Sequence, residues 1–513
     1  MFLLNNFIIL CIVILIVYFY KKNEIGSMLI ALLSAYCWMP VLQVGSFCLN
    51  SSYILTLLLV CLMIYEIIQK KFILKRIQSL YLLIMLAGIG VSMLGWVING
   101  NPKLADVFHF AGMSQYIVAA VGVSYFVNQL KEYAEVKSIV YTLIKIGILI
   151  NFVFLVIQFM NPDFGYYLTK QLYVYGDRAA PLNEMAYWGK FTRGFGSNFA
   201  PYLLGIFGLM SAGFIMSDII ESDNKLLSKS ILIFIAVSLG ILAFSKIVIL
   251  GIFIIYVFYI FQEIFYKGSN MLVKTKHRSV IGLAIILSFW LVALAGNFIG
   301  LKGQVNYYYN MLRNPLQAIS SRLHVEEVSN ESSQNNNNNN IEEQKGIKEN
   351  QESKEGNKVP ELSTEEKSGQ GSLTESKQAN SEEGKEDKKI AGSTAGALEV
   401  FLNHPIIGVG PASIQGEFIG DSQIVSVLHD GGIIYALLYL IFYGGIFIYY
   451  CMKRKYIQCM LILCLFLGCI AIPVFVYSIT IPFMALCLID NMDVKSSSYQ
   501  EDKVRRRCSL FLK

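Results

Sequence analysis

Three cations stand at the edges of apolar runs, and together they could hold a phosphate or pyrophosphate. Arg193 lies in RGFGSN (193–198), directly before the apolar run 199–220. Lys246 follows Ser245 and interrupts an otherwise apolar stretch between 230 and 266, which implies a tight turn or a broken helix. Arg322 closes AISSR (318–322), just ahead of a long polar segment. A cation beside hydrocarbon is costly and usually faces a cavity. Arginine adds a bidentate grip on phosphate oxygens. Any one of the three could instead snorkel to lipid headgroups, a reading that weakens when all three are taken together. Arg178, Arg313 and Lys190 are weaker candidates of the same kind.

A carboxylate supplies the other half of a possible reaction. Asp421 stands just before the apolar run 427–450, where it could take a proton from a hydroxyl as general base. A helix N-cap or a solvated loop acid is the competing reading. Glu417, His429 and Asp430 are close in sequence, and His429 and Asp430 fall in the first turns of that run. His404, before Pro405 at a helix end, reads first as structural and is kept with His429 as a secondary binding candidate. HExxH, paired-Asp, DxD and Walker A patterns are missing, and none of the ten cysteines forms CxxC. No metal, cofactor or ATP drive is therefore expected.

The elements that must position these residues are membrane helices. The 513 residues are 55% hydrophobic, with mean hydropathy +0.52. Runs long enough to cross roughly 30 Å of hydrocarbon recur along the chain. About thirteen are legible: 2–20, 25–44, 53–69, 78–98, 107–129, 138–160, 199–220, 230–244, 247–266, 279–299, 427–450, 457–473 and 474–490. The expected fold is an all-α polytopic bundle of about 12–14 transmembrane helices with a large extracytoplasmic loop. The first run lacks a basic leader and reads as a retained helix. Four regions follow: a membrane bundle over 1–299 with an external loop at 161–198, the large loop 300–426, further spans over 427–490, and a basic tail 491–513.

Alternate loops are basic, from Lys21-Lys22 through Lys453-Arg454-Lys455 to Arg505-Arg506-Arg507. By the positive-inside rule those loops are cytoplasmic. The N-terminus and the loops 161–198 and 300–426 are then outside, and the C-terminus inside. Net charge is +6, yet residues 326–390 carry sixteen acidic and nine basic side chains, a net of −7. The basic excess elsewhere reads as cytoplasmic anchoring, not a nucleic-acid surface. The insert 326–392, with Asn335–Asn340 and repeated Glu-Lys-Ser-Gly text, is expected to be disordered and passive. After it, 394–403 (TAGALEVFLN) has helical spacing with Leu398, Phe401 and Leu402 on one face. A surface helix is expected there, ended by Gly408-Val-Gly-Pro411.

In order along the chain, these motifs resemble the O-antigen polymerase and ligase superfamily, and within it the Wzy-type polymerases of surface polysaccharide. Arg193-Gly-Phe-Gly-Ser-Asn198-Phe-Ala is similar to the family's Arg-x-x-Gly…Asn-x-x-Ala. Ala243-Phe-Ser245-Lys246 is similar to its Thr-x-Ser-Arg, with lysine in place of arginine. Ser321-Arg322 opens the large loop and FLNHPIIGVG (401–410) closes it. Asp421-Ser422-x9-Gly432-Ile-Ile-Tyr435 resembles the last motif, with Asp421 where ligases show His. The likeness covers most of the chain by topology and about forty residues by motif.

What the resemblance implies is a metal-independent glycosyltransferase of a bacterial plasma membrane, working on its outer face. Donor and acceptor would be glycans on undecaprenyl pyrophosphate, with a flippase and a chain-length regulator as partners. Arg193, Arg322 and Lys246 would stabilise the leaving pyrophosphate, and Asp421 would take the acceptor proton. A ligase of the same superfamily, a lipid-linked glycan transporter and a structural or sensory membrane protein are the competing readings.

Overall fold

Hydropathy sets which segments become helices, and local signals set where they stop. The computed structural model describes residues 2–44, 47–69, 71–100, 106–130, 132–174, 191, 193–198, 200–222, 225–265, 271–298, 394–411, 422–471 and 477–489. In chain order the helices are α1 (Phe2–Lys21), α2 (Ile25–Trp38), α3 (Ser52–Ile68), α4 (Arg76–Ile98), α5 (Asp106–Val127), α6 (Tyr133–Met160) and α7 (Pro162–Tyr173). They continue with α8 (Pro201–Glu221), α9 (Leu226–Leu242), α10 (Lys246–Phe265), α11 (Met271–Phe298), α12 (Thr394–Asn403), α13 (Gln423–Lys453), α14 (Tyr456–Ala471) and α15 (Ile481–Cys487).

Each of the thirteen apolar runs holds one helix. Among the described residues eight are long and apolar enough to cross a membrane: α1, α4, α5, α6, α8, α10, α11 and α13. Five more are apolar but shorter. The chain is a helical multi-pass membrane protein by the length and composition of these elements. Its outward faces are apolar, as contact with lipid requires: Leu3, Leu83, Ile286 and Leu272 are all more than half exposed.

Three details differ from the sequence reading. The run 25–44 does not stay helical. Met39 precedes Pro40, takes an extended conformation, and α2 stops at Trp38. A short antiparallel hairpin follows, Leu42–Val44 with Phe47–Leu49, a small exception in an otherwise all-α fold. The loop 161–198 opens with α7, started by Asn161, whose side chain accepts the Phe164 N–H, and by Pro162 in the first turn. Finally, α13 begins at Gln423, four residues before the expected edge at 427.

The N-terminal and C-terminal spans share one contact unit, Met1–Gln304 with Asp387–Lys513. A second unit, Val305–Glu386, falls outside the described residues. Within the first, α8 is the central post: every residue from Leu203 to Ile220 is buried. It packs on α9, α10 and α14, and Gly208 lets it approach the backbone of α9 at Ala236 and Gly240. Similarly, α4 packs on α13, with Gly88 against the Tyr435 ring.

The two ends of the bundle are chemically unlike. At the end carrying the basic loops, Lys137 pairs with Asp218 at 2.6 Å and with Glu221 at 2.7 Å, and Lys229 pairs with Asp218 at 2.6 Å. Arg278 meets Glu263 there at 2.6 Å. The opposite end gathers the starts of α8, α10 and α13, the ends of α2, α4 and α6, and the RGFGSN loop.

Candidate functional site

Two buried amides of α6 hold the RGFGSN loop. Asn151 and Gln158 are seven residues apart, so they share one helix face two turns apart. Asn151 Nδ2 donates to the Gly147 carbonyl at 2.8 Å. Its Oδ1 accepts the Ser197 N–H at 3.0 Å and the Ser197 hydroxyl at 3.1 Å. Gln158 Oε1 accepts the N–H groups of Phe195 and Gly196 at 3.2 and 3.1 Å. Its Nε2 donates to the Gly196 carbonyl at 2.8 Å and to Thr169 of α7 at 3.1 Å. Gly196 has φ +60°, and a Cβ there would strike Asn151 Oδ1. The loop backbone is thus fixed by a fully satisfied buried network.

That loop reaches the turn ahead of Lys246. The Gly194 N–H donates to the Leu242 carbonyl at 2.8 Å, at the end of α9. Phe244 takes a left-handed φ of +46°, and the N–H groups of Val248 and Ile249 close on the Ser245 carbonyl at 3.1 Å. Of the two conformations the sequence allowed, a tight turn between two helices is the one adopted. Lys246 is the first residue of α10. Leu155, Leu204, Leu239 and Ala243 pack beneath this junction. Arg193 Nε is buried and has no hydrogen-bond partner among the described residues. A buried donor left without an acceptor costs free energy that a bound anion could recover.

The closing motif does something the sequence did not announce. It inserts into a break in α13. Gly432 has φ 62° and ψ −158°, a conformation essentially confined to glycine. In a continuous helix the N–H groups of Ile433 and Ile434 would bond to His429 and Asp430. Here they bond to the carbonyls of Pro405 and Ile406, at 2.8 and 3.3 Å. The freed carbonyls of His429 and Asp430 accept from Val409 and Gly410, at 3.0 and 2.9 Å. The exchange leaves these four groups of the break paired, as a membrane environment demands. Asn99, capping the end of α4, then donates to the Gly408 carbonyl at 2.9 Å. Leu398 and Leu402 of α12 and the following Ile406 are exposed on one side, as a helix lying on a membrane surface requires.

These placements sort the candidates. The Gly194–Leu242 bond links the loop that carries Arg193 to the end of the helix before Lys246. His404 serves the motif through its backbone: its carbonyl accepts the Gly408 N–H at 3.0 Å. His429 is fully buried, with Nδ1 2.9 Å from Asp430 Oδ1. It lines neither cavity described below, and its Nε2 is buried with no hydrogen-bond partner among the described residues. Asp421, Arg322, Arg178 and Arg313 lie outside the described residues. Ser422, just before α13, donates its hydroxyl to the Cys469 carbonyl at 3.2 Å and ties the start of α13 to α14.

Two cavities open near this end. One, of about 50 Å³, is lined by polar residues of five separate segments, including Tyr36, Asn50, Tyr173, Ser197, Asn198 and Ser478. Burial pushes the Tyr173 phenol above its ordinary pKa, so it stays a neutral donor. The other, of about 240 Å³, is apolar and lies between α13 and α14, lined by Val427, Leu440, Leu465 and Phe466 among others. Gln423 lines it too, with a buried Oε1 that has no partner among the described residues. Sequence reasoning passed over Asn151 and Gln158. Their one trace is a pair of amides, seven residues apart, in an otherwise apolar run. Among the described residues no group of three His, Cys, Asp or Glu could hold a metal ion.

No family model matches this chain, and neither does any curated protein or solved structure.

Proposed function

We propose that the chain polymerises lipid-linked oligosaccharide repeat units on the outer face of a bacterial plasma membrane. The acceptor hydroxyl oxygen attacks the anomeric carbon of the donor glycan. The bond from that carbon to the pyrophosphate oxygen breaks, and lipid pyrophosphate leaves with the electron pair. Asp421 takes the hydroxyl proton. Negative charge builds on the leaving oxygen, and Arg193, Lys246 and Arg322 stabilise it.

The observation that carries the reading is the buried Nε of Arg193, without a hydrogen-bond partner among the described residues, on a loop fixed by Asn151 and Gln158 and bonded to the turn before Lys246. Such a preorganised cation suits a group whose charge grows during reaction. The apolar cavity between α13 and α14 supports it further, since the substrates carry long apolar tails and Gln423 offers a polar atom inside it. Asp421, where ligases of the resembled superfamily show His, favours polymerisation over ligation. A strain lacking the protein tests this: single repeat units should accumulate on lipid. Accumulation of long lipid-linked polymer would point to a ligase.

One feature favours a second reading. Transporters use broken helices with ionisable residues beside the break, and α13 is broken at Gly432 next to His429 and Asp430. The segment from Ile433 to Lys453 still suffices to cross the ~30 Å hydrocarbon core, which puts the break at the bundle's end and not at mid-depth. Vesicles that move lipid-linked repeats across the bilayer without forming a glycosidic bond would establish the transporter.

A further inference from the structure

The small polar cavity is not explained by pyrophosphate binding. Its lining contains no Asp, Glu, Lys, Arg or His among the described residues. An anion would find no opposite charge to pair with there. What it offers is neutral hydrogen bonding: phenols from Tyr36, Tyr173 and Tyr477, amides from Asn50 and Asn198, and the hydroxyls of Ser197 and Ser478. A volume of about 50 Å³ holds about four water-sized polar groups. One face of a hexose presents a similar number of hydroxyls, and tyrosine rings suit the apolar face of such a ring.

A second observation points the same way. Asn198 is 5% exposed, lines the cavity, and its Nδ2 has no hydrogen-bond partner among the described residues. Leaving a buried amide donor empty is costly unless a ligand or water accepts from it. The walls around it are held rigidly. Tyr202 and Tyr477 hydroxyls meet at 2.9 Å, Ser51 donates to the Met39 carbonyl at 3.3 Å, and Ser197 is fixed by Asn151. Asn198 also ends the loop that starts with Arg193, so a ligand spanning both would place neutral hydroxyls beside an anionic group.

We infer that this cavity is a saccharide subsite, taking the hydroxyl-bearing face of a neutral sugar next to the pyrophosphate. The inference rests on the proposed function, because it assigns the cavity to the glycan of the same substrate. It is tested on the full-length protein in lipid nanodiscs, by saturation-transfer NMR with methyl α-glucoside, methyl β-galactoside and N-acetylglucosamine. Glycerol is the control for nonspecific polyol binding, and inorganic pyrophosphate is titrated separately. The variants are Asn198→Leu and Ser478→Leu, on two independent elements, each checked for an unchanged unfolding midpoint.

At least one sugar should give a signal above glycerol. That binding should weaken about tenfold in the folded variants, the scale of one lost buried hydrogen bond, while pyrophosphate binding persists. If no sugar exceeds glycerol, or if the signal survives both substitutions, the cavity holds only water and the inference fails. That failure leaves the polymerase reading standing if Arg193→Ala still abolishes polymer. Sugar binding by a protein that lengthens no glycan retires the polymerase reading and keeps the subsite.

Discussion

The backbone N–H of Gly194 lies 2.8 Å from the carbonyl oxygen of Leu242, and this one bond joins the Arg193 loop to the turn that starts at Phe244. Two segments nearly fifty positions apart in the chain are thereby held in contact. Arg193→Ala should cut polymer by about a hundredfold or more, the usual cost of removing a preorganised charge-stabilising donor. Lys246→Ala should do the same, and Lys246→Arg should restore most of it. Membrane-inserted protein, read by immunoblot, should stay constant in all three.

The α6 amides hold the backbone of the Arg193 loop. Asn151→Leu strands the Ser197 N–H in a buried site, at a cost of about 1–3 kcal/mol. Gln158→Leu strands the Phe195 and Gly196 N–H groups in the same way. Both variants should lower the thermal unfolding midpoint of the purified protein as well as polymer yield. A normal midpoint with lost activity would instead make the amides direct ligands.

Glycines divide sharply by position. Gly432→Ala requires φ 62° from an alanine, a strain of about 1–3 kcal/mol, and sets a Cβ against the Ile406 backbone. Gly408→Ala meets the His429 carbonyl. Either should deplete folded protein. Gly90, inside α4, has open space around the same atom. Gly90→Ala should be neutral or stabilise by up to about 1 kcal/mol, as measured by unfolding in detergent.

Much of the fold was legible because crossing a membrane demands long apolar helices, and thirteen such runs map onto helices. Helix ends were less legible. Hydropathy averaged over 25–44 could not see that Pro40 ends α2, and the short, amphipathic α7 carries no span-like run. The break in α13 was hidden for a similar reason: Gly431-Gly432 barely lowers the hydropathy of 427–450. Its partner segment, 405–411, is close in space only because the backbone exchange needs it. Among the candidate residues, Arg193 and Lys246 were legible as charges at the edge of an apolar run. Asn151 and Gln158 lay inside a run and were averaged away. His429 was visible as a titratable residue, but not its burial.

The ion-pair cluster at the far end makes a contrasting case. Asp218 faces both Lys137 and Lys229 with its side chain 3% exposed. Asp218→Asn leaves two lysines without their shared carboxylate, at a cost of about 3–5 kcal/mol. The amount of folded protein should fall, while the activity of each surviving molecule stays at the wild-type level. Reduced turnover per folded molecule would place this cluster in the reaction.

The most direct measurement is reconstitution. Purified protein in liposomes is given a single lipid-pyrophosphate-linked repeat unit, and the products are resolved by gel and mass spectrometry. A ladder of lipid-linked glycans, each longer by one repeat, with lipid pyrophosphate released in step and both lost in Arg193→Ala, is the expected result. Repeat units that remain single, whether or not they cross the bilayer, would contradict it.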